Sequence, residues 1–236
     1  HKFLIVNINS KCYTFHVVLS GEKERLIMSK KYVVGLDLGG TKIYTALVDL
    51  NGTIIKEKVV ETLAFEGEEA VINRMMDTID YVIEGTDKEL IKAIGIGAPG
   101  ALDLKEGIVI ESPNLPFENF ELVGKIRARY DLPTYLDNDA NVATLGEYKF
   151  GAGKGTENMI YMTVSTGIGG GAILNGKIFR GSTGNALEIG HTTISQERTR
   201  CGCGNIGCAE SLASGTAIGK RAKEAVNSNA ETSLKN

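Results

Sequence analysis

The residues best placed to do chemistry are Asp137-Asn138-Asp139, where an apolar run gives way to a helical pattern. Pro133-Thr-Tyr-Leu136 reads as a strand, and the residues from Ala140 to Tyr148 read as the helix that follows. Asn138 or Asp139 can cap that helix. The carboxyl end of a strand at a helix start is also where open α/β sheets bind ligands. Asp139 is therefore the first candidate, as the acceptor of a proton from a substrate hydroxyl. On local sequence alone, the plainer role of a helix cap outweighs the catalytic one. The rest of the chain changes that balance.

Two glycine-rich segments supply the counterpart. Asp37-Leu-Gly-Gly-Thr-Lys42 ends one strand, and Thr166-Gly-Ile-Gly-Gly-Gly171 follows another. Neither is a strand–GxxxxGK[ST]–helix phosphate loop, and a lone glycine turn is more often only a hairpin. Both stand in the same frame of strand, glycine turn, strand, Asn-Gly turn, strand (Asn51-Gly52 and Asn175-Gly176). This frame suggests two lobes from one duplicated unit. Glycine hairpins facing across a cleft would offer free backbone N–H groups to a polyphosphate. Asp37 suits a magnesium ion held through water, and Lys42 or the Thr41 hydroxyl suits phosphate oxygens.

The third constellation is His191 with Cys201, Cys203 and Cys208, which can form a closed tetrahedral zinc shell of the structural kind. Glycines at 202, 204 and 207 allow the tight Cys-x-Cys knuckle. Clustered thiols without a secretory leader point to metal binding in a reducing cytoplasm, over free or disulfide-bonded thiols. Cys12 stands outside the cluster. Glu188 and Glu210 lie beside these ligands, where each can accept hydrogen bonds from the hydroxyls of a polyol. The competing reading is a pair of solvated surface glutamates.

The elements needed to position these groups follow from pattern. Strands are predicted over Lys31–Asp37, Ile43–Asp49 and Thr53–Val60, then a helix over Glu66–Glu84 with Ile72, Met75, Met76, Ile79, Val82 and Ile83 at helical spacing. A strand over Ile91–Gly97 runs into Ala98-Pro-Gly100. A looser stretch containing Ser112-Pro-Asn114 leads to a helix over Glu121–Tyr130. After a glycine joint at 151–155, strands are predicted over Met159–Ser165, Ala172–Leu174 and Lys177–Phe179, with a helix over Thr216–Val226. This order gives a mixed sheet covered by helices.

The 236 residues are 42% apolar and 23% charged, with a net charge of −3 and no basic run. This composition argues against a nucleic-acid or membrane-surface partner, and no apolar stretch is long enough to cross a bilayer. Met28 is the first methionine, and residues 1–27 are expected to be a leader or non-native extension. The alternative is a two-strand extension from Phe3–Ile8 and Tyr13–Leu19.

Six motifs occur in fixed order: D-L-G-G-T-K, G-A-P-G, L-D-N-D-A-N, S-T-G-I-G-G-G, E-I-G-H and C-G-C-G-N-I-G-C-A-E. From about Lys31 to Val226 the chain thereby resembles the ROK family of bacterial sugar kinases, most closely its glucokinases. The resemblance implies an α/β, two-lobed, actin-like (ribonuclease-H-like) ATPase fold with mixed sheets and a zinc knuckle. The N-terminal lobe would span 28–150 and the C-terminal lobe 151–236, with sugar and nucleotide meeting in the cleft. It implies ATP-dependent phosphorylation of glucose at the 6-hydroxyl, with magnesium, structural zinc, a cytoplasmic setting and a dimer or tetramer. Asp139 would be the catalytic base. Gly100, Asn138, Glu188, His191 and Glu210 would contact the sugar. Gly39, Gly40, Thr41 and Thr166 to Gly169 would form the phosphate turns, and His191, Cys201, Cys203 and Cys208 would hold zinc. Family members continue beyond this chain's last residue, so the C-terminal lobe is expected to be incomplete.

Three alternatives stay open. The hexose could be N-acetylmannosamine, N-acetylglucosamine or fructose, and the donor ATP, polyphosphate or ADP. A sugar-sensing repressor of the same family would need an N-terminal helix-turn-helix, and the residues before Met28 are too few for one. A zinc hydrolase would need an open coordination position, which a four-ligand shell lacks.

Overall fold

The computed structural model describes residues 30–182, 184–196, 199–228 and 233. The expectations for residues 1–27 and Cys12 lie outside the described residues. The chain forms two compact units, divided between Thr156 and Glu157.

The first unit is built on a five-stranded sheet ordered β3-β2-β1-β4-β8. Strands β1 (Tyr32–Leu38), β2 (Lys42–Asp49) and β3 (Ile54–Glu61) form an antiparallel meander, because turns of a few residues can only reverse the chain. Helix α1 (Glu68–Ile83) carries the chain back so that β4 (Ile91–Ala98) pairs with β1 in parallel. Helix α2 (Leu122–Tyr130) does the same for β8 (Thr134–Asn138), parallel to β4. The sheet is mixed, as the pattern required.

Apolar spacing explains the packing. Val71, Ile72, Met75, Ile79 and Val82 make one stripe of α1 and are buried. They pack with Leu36, Ile43, Leu47, Ile94, Ile96, Leu122 and Ile126 in one core. The buried hydroxyls of Thr45 and Thr78 satisfy one another at 2.7 Å.

The stretch expected to be loose is ordered. Strands β5 (Ala101–Asp103), β6 (Ile108–Glu111) and β7 (Glu118–Phe120) form a small antiparallel sheet, with Phe117 stacked on Phe120 at 4.3 Å between ring centroids. Strands of three or four residues carry too little periodicity to be read in a single sequence. Helix α3 (Asp139–Phe150) completes the first unit's regular elements.

The second unit holds another meander, ordered β11-β10-β9 from β9 (Met159–Val164), β10 (Ile168–Leu174) and β11 (Lys177–Phe179). Asn175 and Gly176 turn the second hairpin with φ of 50° and 73°. Strand, glycine turn, strand, Asn-Gly turn and strand thus occur once in each unit. One expectation needs correction. Gly169, Gly170 and Gly171 do not belong to a turn but lie within β10, paired with Thr163, Met162 and Tyr161. At Gly170 the bare backbone serves packing, since a Cβ there would stand 2.4 Å from Ile189 Cδ1. Helices α4 (Ala209–Ala213) and α5 (Gly215–Asn227) follow the cysteine segment. Among the described residues, no helix is long and apolar enough to cross a membrane.

Candidate active site and metal centre

In the first unit, the parallel strands bring their carboxyl ends into register. Asp37 of β1 lies opposite Gly97 of β4, and Gly97 lies opposite Asp137 of β8. Helix α3 packs over Gly97 at ordinary contact distance: a Cβ there would stand 3.4 Å from Val142 Cγ2 and 3.7 Å from Asp139 Cα.

Local hydrogen bonds then divide the labour at 137–139. Asn138 is the cap, its Oδ1 accepting from the N–H groups of Ala140 at 2.9 Å and Asn141 at 3.4 Å. Asp139 is the first helical residue, and its Oδ1 accepts from Ala140 N–H at 2.8 Å. The plain reading of Asp139 as the cap is thereby set aside. Asp137 accepts from Asn138 N–H at 2.9 Å and from Asn141 Nδ2 at 3.0 Å, which ties strand to helix. Asn141 is buried, and among the described residues its Oδ1 has no hydrogen-bond partner.

Protein atoms crowd the Asp139 carboxyl and push its pKa above the ordinary aspartate range, against the pull of the Ala140 N–H. As a residue Asp139 is nonetheless exposed, so contact with water limits the rise. Burial raises Asp37 as well, and the charge of Asp139 raises it further, while Lys42 opposes both. Asp37, Lys42 and Asp139 thus form one electrostatic group, suited to a divalent cation or to a proton shared with substrate.

The first glycine turn closes through Gly39 N–H to Lys42 O at 3.0 Å. Thr41 and Lys42 are exposed. A Cβ on Gly40 would meet Asn114 Cβ at 2.6 Å, so the 112–114 loop lies directly against the turn. Gly100 follows β4 at φ 102°, and a Cβ there would stand 2.3 Å from Glu111 O. Ser112 Oγ, in the same loop, is buried and among the described residues has no hydrogen-bond partner.

In the second unit, the glycine turn is short: Ser165 N–H bonds Gly167 O at 2.9 Å, and β10 starts at Ile168. Thr166 and Gly167 form the turn, whereas Gly169 is a strand residue. Glu210, in the first turn of α4, accepts from Ile168 N–H at 2.8 Å. It is half-buried against this turn rather than a solvated surface glutamate. Glu188 is exposed, and its Oε2 lies 3.9 Å from His191 Nε2.

The other nitrogen of His191, Nδ1, lies 3.5 Å from Cys201 Sγ, and the sulfurs of Cys203 and Cys208 are 3.7 Å apart. All four donor atoms fall within 4.8 Å of one another. Donors about 2.3 Å (sulfur) and about 2.0–2.1 Å (nitrogen) from a tetrahedral zinc would be separated by about 3.5–3.8 Å; the His191–Cys201 and Cys203–Cys208 pairs match this spacing, and a small inward shift of the others would close the set. Loss of water raises the Cys208 thiol to about 11, while the Asn205 backbone N–H holds Cys203 below its usual value. The knuckle is shaped by Cys201 N–H to Asn205 O at 2.9 Å and Gly204 N–H to Cys201 O at 3.0 Å. Ala209 N–H to Thr192 O at 3.0 Å joins it to the histidine segment.

Sequence reasoning missed Asn141, whose Nδ2 donates to Asp137, and Thr62. Thr62 is fully buried beyond the end of β3, and its hydroxyl donates to Gly39 O at 2.6 Å. A single threonine after a strand carries no signal of such a contact.

Mixed sheets, a meander with a glycine turn in each unit, and carboxylates at the ends of parallel strands define an α/β protein consistent with the actin-like ATPase fold. The chain belongs to the ROK family, whose family model matches residues 33–236. It is 40% identical over 198 residues to a glucokinase of Thermotoga maritima, covering 84% of this chain and 62% of the relative. A xylose repressor of Caldicellulosiruptor bescii is 37% identical over 188 residues, covering 79% of this chain and 47% of the relative. Among solved structures, a ROK family glucokinase from Streptomyces griseus in complex with glucose and AMPPNP aligns with a TM-score of 0.73 and 38% identity, covering 84% of this chain and 62% of that one. The chain therefore spans less than two thirds of the length of these relatives.

Proposed function

We propose that the protein is a sugar kinase that transfers the γ-phosphoryl group of ATP to the 6-hydroxyl of a hexose, with glucose as the favoured acceptor. The observation that carries this reading is the group Asp37, Lys42 and Asp139 beside the first glycine turn. The kinship with glucokinases supports it. Asp139 takes the proton of the attacking hydroxyl, and its raised pKa brings it nearer to the working pH of a general base. Asp37 would hold magnesium, and Gly39, Gly40, Thr41, Lys42, Thr166 and Gly167 attend the phosphates, while Gly169 belongs to β10. With a dissociative transition state, the protein's work is positioning and charge neutralisation. Gly100, Asn138, Glu188, His191 and Glu210 bind the sugar hydroxyls.

His191, Cys201, Cys203 and Cys208 would hold a structural zinc. When bound, zinc would lock the knuckle that orders Glu188 and Glu210. We read the two units, which divide at Thr156–Glu157 and not at the expected 150–151, as the N-terminal and C-terminal lobes of a cytoplasmic homo-oligomer. A coupled assay with Mg-ATP across glucose, fructose, N-acetylglucosamine and N-acetylmannosamine tests the reading. Turnover highest on glucose is expected, and no turnover on any hexose would overturn it.

The second reading is a sugar sensor, favoured by the similarity to xylose repressors. It predicts hexose or pentose binding without phosphoryl transfer. The acidic pair beside the glycine turn favours the kinase, because a sensor needs neither base nor phosphate cradle.

A further inference from the structure

We propose that Thr62 is a positioning residue for phosphate binding: it draws the carbonyls of the first glycine turn to one side, so that the Gly40 N–H faces a phosphoryl oxygen on the other. The inference rests on the reading of that turn as a phosphate cradle. It assigns a role to a residue outside the glycine motif.

All three polar atoms of Thr62 are committed. Its N–H donates to Thr41 O at 2.9 Å, its hydroxyl donates to Gly39 O at 2.6 Å, and its own carbonyl accepts from Arg74 Nη1 at 3.1 Å. Arg74 belongs to α1 and is paired with Glu66. The clamp is therefore anchored in the packed body of the unit. A trans peptide points its C=O and the following N–H in opposite directions, and no peptide here is cis. Fixing Gly39 C=O on Thr62 thus fixes the Gly40 N–H facing away from it. Among the described residues, neither Gly40 N–H nor Thr41 N–H donates to any protein atom. The Gly39–Gly40 peptide lies between two glycines and would otherwise rotate with little steric resistance.

A buried threonine must satisfy its hydroxyl somewhere, and one bond alone would mean only that. Thr62, however, engages two carbonyls of the same short turn, and the second unit repeats the device. Thr216, at the start of α5, donates both its N–H, at 3.3 Å, and its hydroxyl, at 2.8 Å, to Thr166 O. Gly215 N–H takes Ser165 O at 2.8 Å. Pinning Thr166 C=O turns Gly167 N–H the opposite way, and among the described residues that amide also donates to no protein atom. In each unit a threonine from a neighbouring segment holds the carbonyl that precedes a glycine amide. The ligand such an amide suits is a phosphoryl oxygen of a polyphosphate chain.

The test is a titration of the 15N-labelled protein with inorganic tripolyphosphate, followed at the Gly40 amide. The Gly40 resonance is expected to shift on binding. Thr62→Val, which keeps the shape and removes the hydroxyl, is expected to weaken binding about tenfold, the scale of one hydrogen bond. Thr62→Ser keeps the hydroxyl and is expected to stay within about twofold. Equal affinity in Thr62→Val and wild type, or tripolyphosphate that binds wild type without moving Gly40, or does not bind at all, would overturn the inference. The wild-type Gly40 response tests the cradle; should Thr62→Val fail to fold, Thr216→Val followed at the Gly167 amide tests the same device, and unchanged affinity there would overturn the inference. A Gly40 response in a protein that phosphorylates no hexose would refute the kinase reading and leave the clamp standing.

Discussion

Replacing Asp139 by asparagine removes a proton acceptor and almost nothing else. The asparagine Oδ1 can still accept from Ala140 N–H, as the aspartate does at 2.8 Å. Helix α3 keeps its cap, because Asn138 provides it. The carboxylate sits beside Asp37, whose pKa it raises, so the neutral variant relieves a repulsion. A carboxyl whose folded pKa lies above its unfolded value destabilises the fold once it is ionised, that is, above the unfolded pKa. At neutral pH, Asp139→Asn should therefore melt no lower than wild type. Turnover should behave differently. Loss of a general base costs about 10² to 10⁴ in rate, and 100-fold corresponds to about 2.7 kcal/mol of transition-state free energy. The expected result in a coupled assay with Mg-ATP and glucose is a kcat at least about 100-fold lower, with the glucose KM within a few-fold. Turnover within about threefold of wild type would remove Asp139 from the chemistry, and a lowered Tm would show that the residue holds the fold.

The remaining predictions concern pH, metal and packing. Burial raises Asp139, so the acid limb of kcat/KM should fall above the ordinary aspartate value of about 3.9. Activity is lost as pH falls through that limb, and a limb below about 3.9 would contradict the assignment. Wild type should carry one zinc per chain by elemental analysis, and Cys203→Ser should lose it and raise the glucose KM about 10- to 100-fold. A KM unchanged after metal loss would separate the knuckle from the sugar site. A Cβ on Gly190 would stand 2.0 Å from Ile168 O, so Gly190→Ala should lower stability by about 1–3 kcal/mol in denaturant titrations. An unshifted midpoint would mean that β10 yields easily there.

The parts of the fold that could be read from the sequence were those with long periodic signals. The stripe Ile72, Met75, Ile79 and Val82 announced α1, and the Asn-Gly pairs announced both outer hairpins. The short strands β5, β6 and β7 escaped, because three or four residues cannot establish an alternation. The run Gly169-Gly170-Gly171 misled for a different reason. Glycine marks a turn and a close approach equally well, and here Ile189 comes down on a strand. At the candidate site, the donor types of His191 and the three cysteines were legible, because ligand chemistry is local. The pinning of Gly39 and Thr41 by Thr62 was not, since it joins residues about 20 positions apart through a side chain common in any strand. Neither could the sequence say that Asn138 rather than Asp139 caps α3, which depends on backbone angles at one residue.

The most direct measurement is 31P and 13C NMR of the protein incubated with Mg-ATP and 13C-labelled glucose, alongside Asp139→Asn. Glucose 6-phosphate should accumulate with wild type, and at a rate at least about 100-fold lower with the variant. Phosphate appearing on another hydroxyl, equal rates from both proteins, or no sugar phosphate from wild type would contradict the assignment of Asp139 as the base for the 6-hydroxyl.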